Sequence, residues 1–153
     1  MAKNKLLDIN PECKIESFSI YLNQKNSKSL LEDSSLIIDA TDNWNSMTII
    51  NKFCVENSIP LISASAIGFD SQVILFNNKQ NDHLCLKCIF PNNSEPNLAR
   101  CDTVGILGTA AGIAGLIVAQ KIINFFLDKK NVYNYITMVN LKSLNIEKIK
   151  IKK

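Results

Sequence analysis

Arginine is nearly missing from this sequence: Arg100 stands alone among 17 basic residues, and the others are lysines. Arginine is the side chain that forks onto phosphates and guanine edges, so its scarcity argues against a nucleic-acid surface. The net charge of +3 is small, and the lysines read as solvated surface. No glycine precedes Gly68, which excludes a glycine-rich phosphate loop from everything upstream of it. The amino-terminal stretch MAKNKLLDINPECKIESF has no apolar h-region, so no secretory signal is visible. The five cysteines, an odd number, do not make a disulfide framework in a chain this long. A reducing compartment follows, cytoplasmic or a plastid-like organellar interior and not secreted, with thiols free or bound to metal.

What is present suits one globular domain. The 153 residues, 46% apolar and 20% charged, are enough for a core without staples. Lys3 to Ile9 reads as the end of a helix stopped at Asn10-Pro11. Lys14 to Tyr21 alternates as a strand does. Ser29-Leu-Leu-Glu32 has the spacing of a capping box and predicts a short helix over 29–33. SLIIDA, 35–40, is a continuous apolar run suited to a parallel strand buried on both faces. After Thr41-Asp42-Asn43, apolar residues at Trp44, Met47, Ile50, Phe53 and Cys54 mark a helix with one stripe. Ile59 to Ala66 and Gln72 to Phe76 read as further strands around Gly68. Strand, helix, strand with short links predicts an α/β layered fold with a parallel crossover.

Residues 105–127 form the longest apolar segment. Its length rivals a membrane span, but Gln120, Lys121 and Asn124 interrupt it, and a buried helix is expected instead. Two alternating segments, 134–140 and 146–152, read as a closing antiparallel hairpin.

Three features carry chemistry. Asp42 stands where a strand gives way to a helix, and ligands of open α/β sheets bind outside the carboxyl ends of strands. A carboxylate there can hold the Mg²⁺ of a nucleotide. Equally, Thr, Asp and Asn at that place are what helix N-caps use, and the cap is the favoured reading. Cys85-Leu-Lys-Cys88 has the spacing of half a zinc knuckle, a weak signal because a structural zinc takes four ligands. His83 and Cys101 complete a set only on paper, and His83 reads as a turn residue. A redox pair would open a helix, and Ile89-Phe90-Pro91 argues against one. Cys101, after Arg100 and before the glycine-spaced helix, has the setting that favours a thiolate nucleophile. The bland alternative is a small buried apolar residue.

The segments LIIDATDNW (36–44), PLISASAIGFDSQVILF (60–76), CLKCIFP (85–91) and CDTVGILGTAAGIAG (101–115) together resemble the ThiF/MoeB/HesA adenylyltransferases of the ubiquitin-activating-enzyme-like superfamily. The resemblance covers the whole chain and matches the C-terminal part of a full-length member. It implies a partial Rossmann-like α/β fold, parallel strands followed by antiparallel ones, without the amino-terminal nucleotide-loop half. One partial domain is expected: sheet and helices over 1–80, the cysteine pair and crossover loop over 81–104, a helix over 105–127 and the hairpin over 134–152. The activity implied is MgATP-dependent adenylation of the carboxyl end of a ubiquitin-like sulfur carrier, of the molybdopterin or thiamine type. By the same resemblance Asp42 belongs to the nucleotide and magnesium site. Cys85 and Cys88 are the first half of a four-cysteine zinc site, and Cys101 is the crossover-loop cysteine of thioester or persulfide links. Without the glycine-rich loop, a truncated or split product, inactive alone, is expected. It would work with a carrier and a homodimer partner or a separate amino-terminal half. The alternatives are a non-catalytic dimerisation or carrier-binding module, and a thiol or persulfide relay through Cys101.

Overall fold

The computed structural model describes residues 2–78, 84–90, 105–127, 133 and 135–151. Its elements in chain order are α1 (Ala2–Ile9), α2 (Ser27–Leu31), β1 (Ile37–Asp39), α3 (Trp44–Glu56), β2 (Leu61–Ile67) and β3 (Asp70–Phe76). After them come α4 (Leu86–Ile89), α5 (Gly108–Phe126), β4 (Tyr135–Asn140) and β5 (Asn145–Lys150). The five strands make one mixed sheet in the order β1-β2-β3-β4-β5. β1 and β2 are parallel, Ile37 opposite Leu61 and Asp39 opposite Ser63. Every later pairing is antiparallel. This is the α/β sheet, parallel strands then antiparallel ones, that the sequence predicts.

The period-two alternation of strands sends successive side chains to opposite faces, and both faces are covered. On one, α3 supplies Ile50, Phe53 and Cys54 to a core with Ile37, Leu61, Ile74 and Phe76. On the other, Ile62, Ala64, Val73 and Leu75 receive Ala114 of α5, with Ile117, Val118 and Ile122 beside it. Leu61, Ile62, Val73, Leu75 and Phe76 are among the largest fully buried side chains. Each contributes about 1.5–3 kcal/mol by leaving water. The β2–β3 turn is closed by Gly68 at φ +55°, a backbone region open to glycine without steric cost.

Three expectations are corrected. The alternating segment Lys14–Tyr21 forms no strand. It is coil, with Phe18, Ile20 and Tyr21 exposed, because alternation supplies a face but not a neighbouring strand to pair with. The capping box at Ser29 does not form either. α2 starts two residues earlier, after an asparagine turn in which Asn23 Oδ1 accepts from Lys25 N at 2.9 Å and Asn26 Oδ1 accepts from Asn23 N at 2.8 Å. Glu32 falls at its C-cap. Thirdly, α5 is buried on one face only. Ala110 and Ala114 are its fully buried residues, while Leu116 is 72% exposed and Phe126 62%. By length and composition α5 could cross a membrane, yet one of its faces lies on the sheet.

Candidate functional site

The link from β1 to α3 runs Ala40-Thr41-Asp42-Asn43, and its polar side chains are sharply divided. Asp39 ends β1 almost fully buried, 1% exposed. Its Oδ1 accepts from the Thr41 backbone N–H at 3.0 Å and from Thr41 Oγ1 at 2.7 Å, while its buried Oδ2 has no hydrogen-bond partner among the described residues. Burial pushes the Asp39 carboxyl above the usual carboxylate range, and the two Thr41 hydrogen bonds oppose that shift. Asn43 is the helix cap, extended in backbone, with Oδ1 accepting from Ser46 N at 2.8 Å. The cap role expected for this turn is therefore real, but Asn43 holds it and Asp42 does not. Asp42 is left exposed at the carboxyl end of a parallel strand, two residues before a helix whose N–H dipoles favour anions.

Sequence reasoning passed over Asp39. The signal was available: one charged residue inside a run otherwise read as buried on both faces. Cys54 of α3, fully buried in the same core, has its thiol pushed up to about 12, first by burial and then by the negative charge of Asp39.

Cys85 precedes α4 and Cys88 is its third residue. Cys85 is its N-cap residue, and Cys88 N donates back to Cys85 O at 2.9 Å. The pair thus does open a helix, one turn long, contrary to the expectation drawn from Ile89-Phe90-Pro91. Burial pushes the Cys85 thiol up, the backbone hydrogen bond of Lys87 opposes it, and the charge of Cys88 raises it further. Among the described residues no group of three or more His, Cys, Asp or Glu side chains could hold a metal. Two thiolates on one turn fit half of a tetrahedral zinc site and no more.

α4 is strapped along α3 at two points. Asn51 Oδ1 accepts from Leu86 N at 3.0 Å, and the rings of Trp44 and Phe90 meet edge to face at 5.3 Å. Trp44 opens α3, so Phe90 stands at the same end of the sheet as Asp42. On the other side of residues 91–104, Gly68 N donates to Gly105 O at 2.9 Å and Leu107 N donates to Gly68 O at 3.1 Å. Gly68 follows the carboxyl end of β2. Phe90 and Gly105, the described residues on either side of 91–104, therefore both stand at the carboxyl end of the parallel strands, where Asp42 is. Cys101, Arg100 and His83 lie outside the described residues.

A mixed sheet with parallel strands followed by antiparallel ones, and helices on both faces, places the chain in the α/β class with a partial Rossmann-like arrangement. The whole chain, residues 1–153, matches the ThiF family; it belongs to that family.

The chain is 32% identical over 157 residues to the "Probable molybdopterin-synthase adenylyltransferase" of Porphyra purpurea, covering 99% of this chain and 40% of that protein. It is 29% identical over 123 residues to the sulfur carrier protein ThiS adenylyltransferase of Escherichia coli K12, covering 80% of this chain and 48% of that one. With the adenylyltransferase and sulfurtransferase MOCS3 of Culex quinquefasciatus it shares 30% identity over 132 residues, covering 86% of this chain and 30% of the relative. The chain thus spans less than half the length of these relatives. Among solved structures, E. coli MccB with ATP superposes with a TM-score of 0.78 at 17% identity, over 99% of this chain and 46% of that one. At that identity the likeness concerns the fold alone.

Proposed function

We propose that this chain forms the sheet-and-crossover part of an ATP-dependent adenylyltransferase that activates the carboxyl end of a ubiquitin-like sulfur carrier, of the molybdopterin or thiamine sulfur-transfer type. The observation that carries this reading is Asp42. Around it Thr41 and Asn43 are committed to the turn and the cap, and Asp39 is sealed in the core with its Oδ1 held by Thr41. Asp42 is the exposed carboxylate of this link left for a ligand at the carboxyl end of β1. In this reading Asp42 binds the magnesium of MgATP, whose adenylyl group goes to the carrier. Cys101 serves as the acceptor thiol, and Cys85 with Cys88 supplies half of a structural zinc site. The reducing interior that free thiols need is the cytoplasm or an organelle.

The carboxylate fits its role, but the Ala40–Asn43 link offers no glycine-rich run of amides to cradle phosphates. Those groups, and much of the electrostatic stabilisation of adenylyl transfer, come from elsewhere than this segment. The expected result is no carrier-dependent ATP–pyrophosphate exchange by the chain alone. Exchange appears when a strand–loop–helix segment bearing a glycine-rich turn is added, and Asp42→Ala abolishes it. Asn43→Ala instead lowers stability by about 1 kcal/mol through loss of the cap. Exchange by the chain alone would overturn the claim that it is inactive by itself. Full exchange in Asp42→Ala would remove Asp42 from the site.

The exposed side of α5, with Leu116, Ile123 and Phe126, favours a second reading, a non-catalytic dimerisation or carrier-binding module. Capture of a ubiquitin-like carrier without any nucleotide dependence supports it.

A further inference from the structure

Asn51 is a buried polar side chain, 4% exposed, in the middle of a helix whose neighbouring buried positions are Ile49, Ile50, Phe53 and Cys54. A buried amide is tolerated only when it is hydrogen-bonded, and leaving it unmatched costs about 1–3 kcal/mol. Its Oδ1 takes the backbone N–H of Leu86, far away in sequence, at 3.0 Å. That N–H belongs to the first turn of α4, where the amides have no partner within the helix. Leu86 is the first residue of α4, and an N-cap side chain accepts from the second or third helical amide instead; Cys85 in any case makes no side-chain cap hydrogen bond. Asn51 therefore satisfies, from another element, a donor that no local cap reaches.

The peptide it grips is the one between Cys85 and Leu86, immediately beside the first thiol. Cys88 N then returns to Cys85 O at 2.9 Å, so the same grip sets the turn that carries the second. We propose that Asn51 is a positioning residue for the Cys85/Cys88 pair, fixing the turn on which both thiols are mounted so that they engage a thiophilic group together. The inference rests on the reading of the two cysteines as one working unit. A two-point ligand gains from fixed geometry in a way a single thiol does not. Partners of ligating residues typically matter by 10- to 100-fold in affinity.

The test uses the full chain and phenylarsine oxide, a trivalent arsenical that condenses with two thiols and releases one water. Wild-type protein is expected to take one equivalent tightly, and to lose that binding in Cys85→Ser and in Cys88→Ser. Asn51→Leu should weaken capture by about tenfold or more. Asn51→Asp, which keeps an acceptor facing Leu86 N–H, should bring it back toward wild type. A purely structural asparagine would shift the Tm of both variants without this split in thiol capture. Capture by Asn51→Leu as tight as in wild type overturns the positioning role and leaves the thiol pair standing. Wild-type capture that survives either serine variant overturns the pair itself. Should Asn51→Leu not fold, hydrogen exchange in the wild type decides: a protected Leu86 amide supports the contact, and exchange at the free-peptide rate overturns it.

Discussion

Asp39 and Asp42 flank the same turn in opposite surroundings, one sealed beside Cys54 and one in water. The sealed carboxyl gives a pH signature. Below its ordinary value of 3.8 both folded and unfolded chains hold the proton and the cost of burying charge vanishes. As pH rises past that value, the unfolded chain ionises freely while the native carboxyl, with its raised pKa, resists. Asp39 thus contributes its stability at low pH and loses it as pH climbs toward the native pKa. Asp39→Asn keeps an oxygen for the Thr41 hydrogen bonds and carries no charge. Urea unfolding from pH 3 to pH 7 is expected to show wild type losing ground to Asp39→Asn as pH rises. A difference constant with pH would refute the burial cost. How much of this turn was legible depended on which residue was asked. Its place between strand and helix was plain from SLIIDA and the stripe that follows. The division of labour was not, because Thr, Asp and Asn are all acceptable caps and only the backbone at Asn43 decides among them.

At the level of elements, strands with a sequence neighbour to pair with were readable. The strands β2 and β3, the β4–β5 hairpin and the parallel run SLIIDA all stand within a residue or two of expectation. The segment 14–21 was misread because strand patterning says nothing about a partner. α5 was misread in a different way: its apolarity suggested burial, and the structure covers one side only. Nothing stands within 4 Å of a methyl group built at Gly112 or Gly115, and neither glycine has a positive φ. A glycine inside a helix costs about 0.5–1 kcal/mol relative to alanine. Gly112→Ala and Gly115→Ala should therefore each raise stability by about that amount, read as a higher Tm. A fall would mean that another surface closes on this side of α5. Ala114→Leu, by contrast, overfills the contact with Ile62 and Val73 and should cost about 1–3 kcal/mol.

For the molecule as a whole, the two edges of the sheet differ. β5 is exposed throughout and carries Glu147, Lys148 and Lys150, the charges that keep an edge from recruiting other strands. β1 presents Ile37, Ile38 and Asp39 with no lysine and no proline, and Ile38 is 43% exposed. Concentration-dependent association through the β1 edge is expected in sedimentation velocity, reduced in Ile38→Lys. An unchanged profile in that variant would move the contact to the open side of α5. The same sheet has another consequence, in the time domain. Its spatial strand order repeats its order along the chain, yet only the β2–β3 and β4–β5 pairings are local, whereas β4 must find β3 from far along the chain, Asn140 opposite Asp70. Local pairing forms fast and the long closure slowly. The tight Gly68–Phe69 turn makes β2 and β3 the natural first pair, with β4 and β5 laid on afterwards. In pulse-labelled hydrogen exchange the amides of β2 and β3 should gain protection before those of β5, tracing assembly that proceeds in the direction of synthesis.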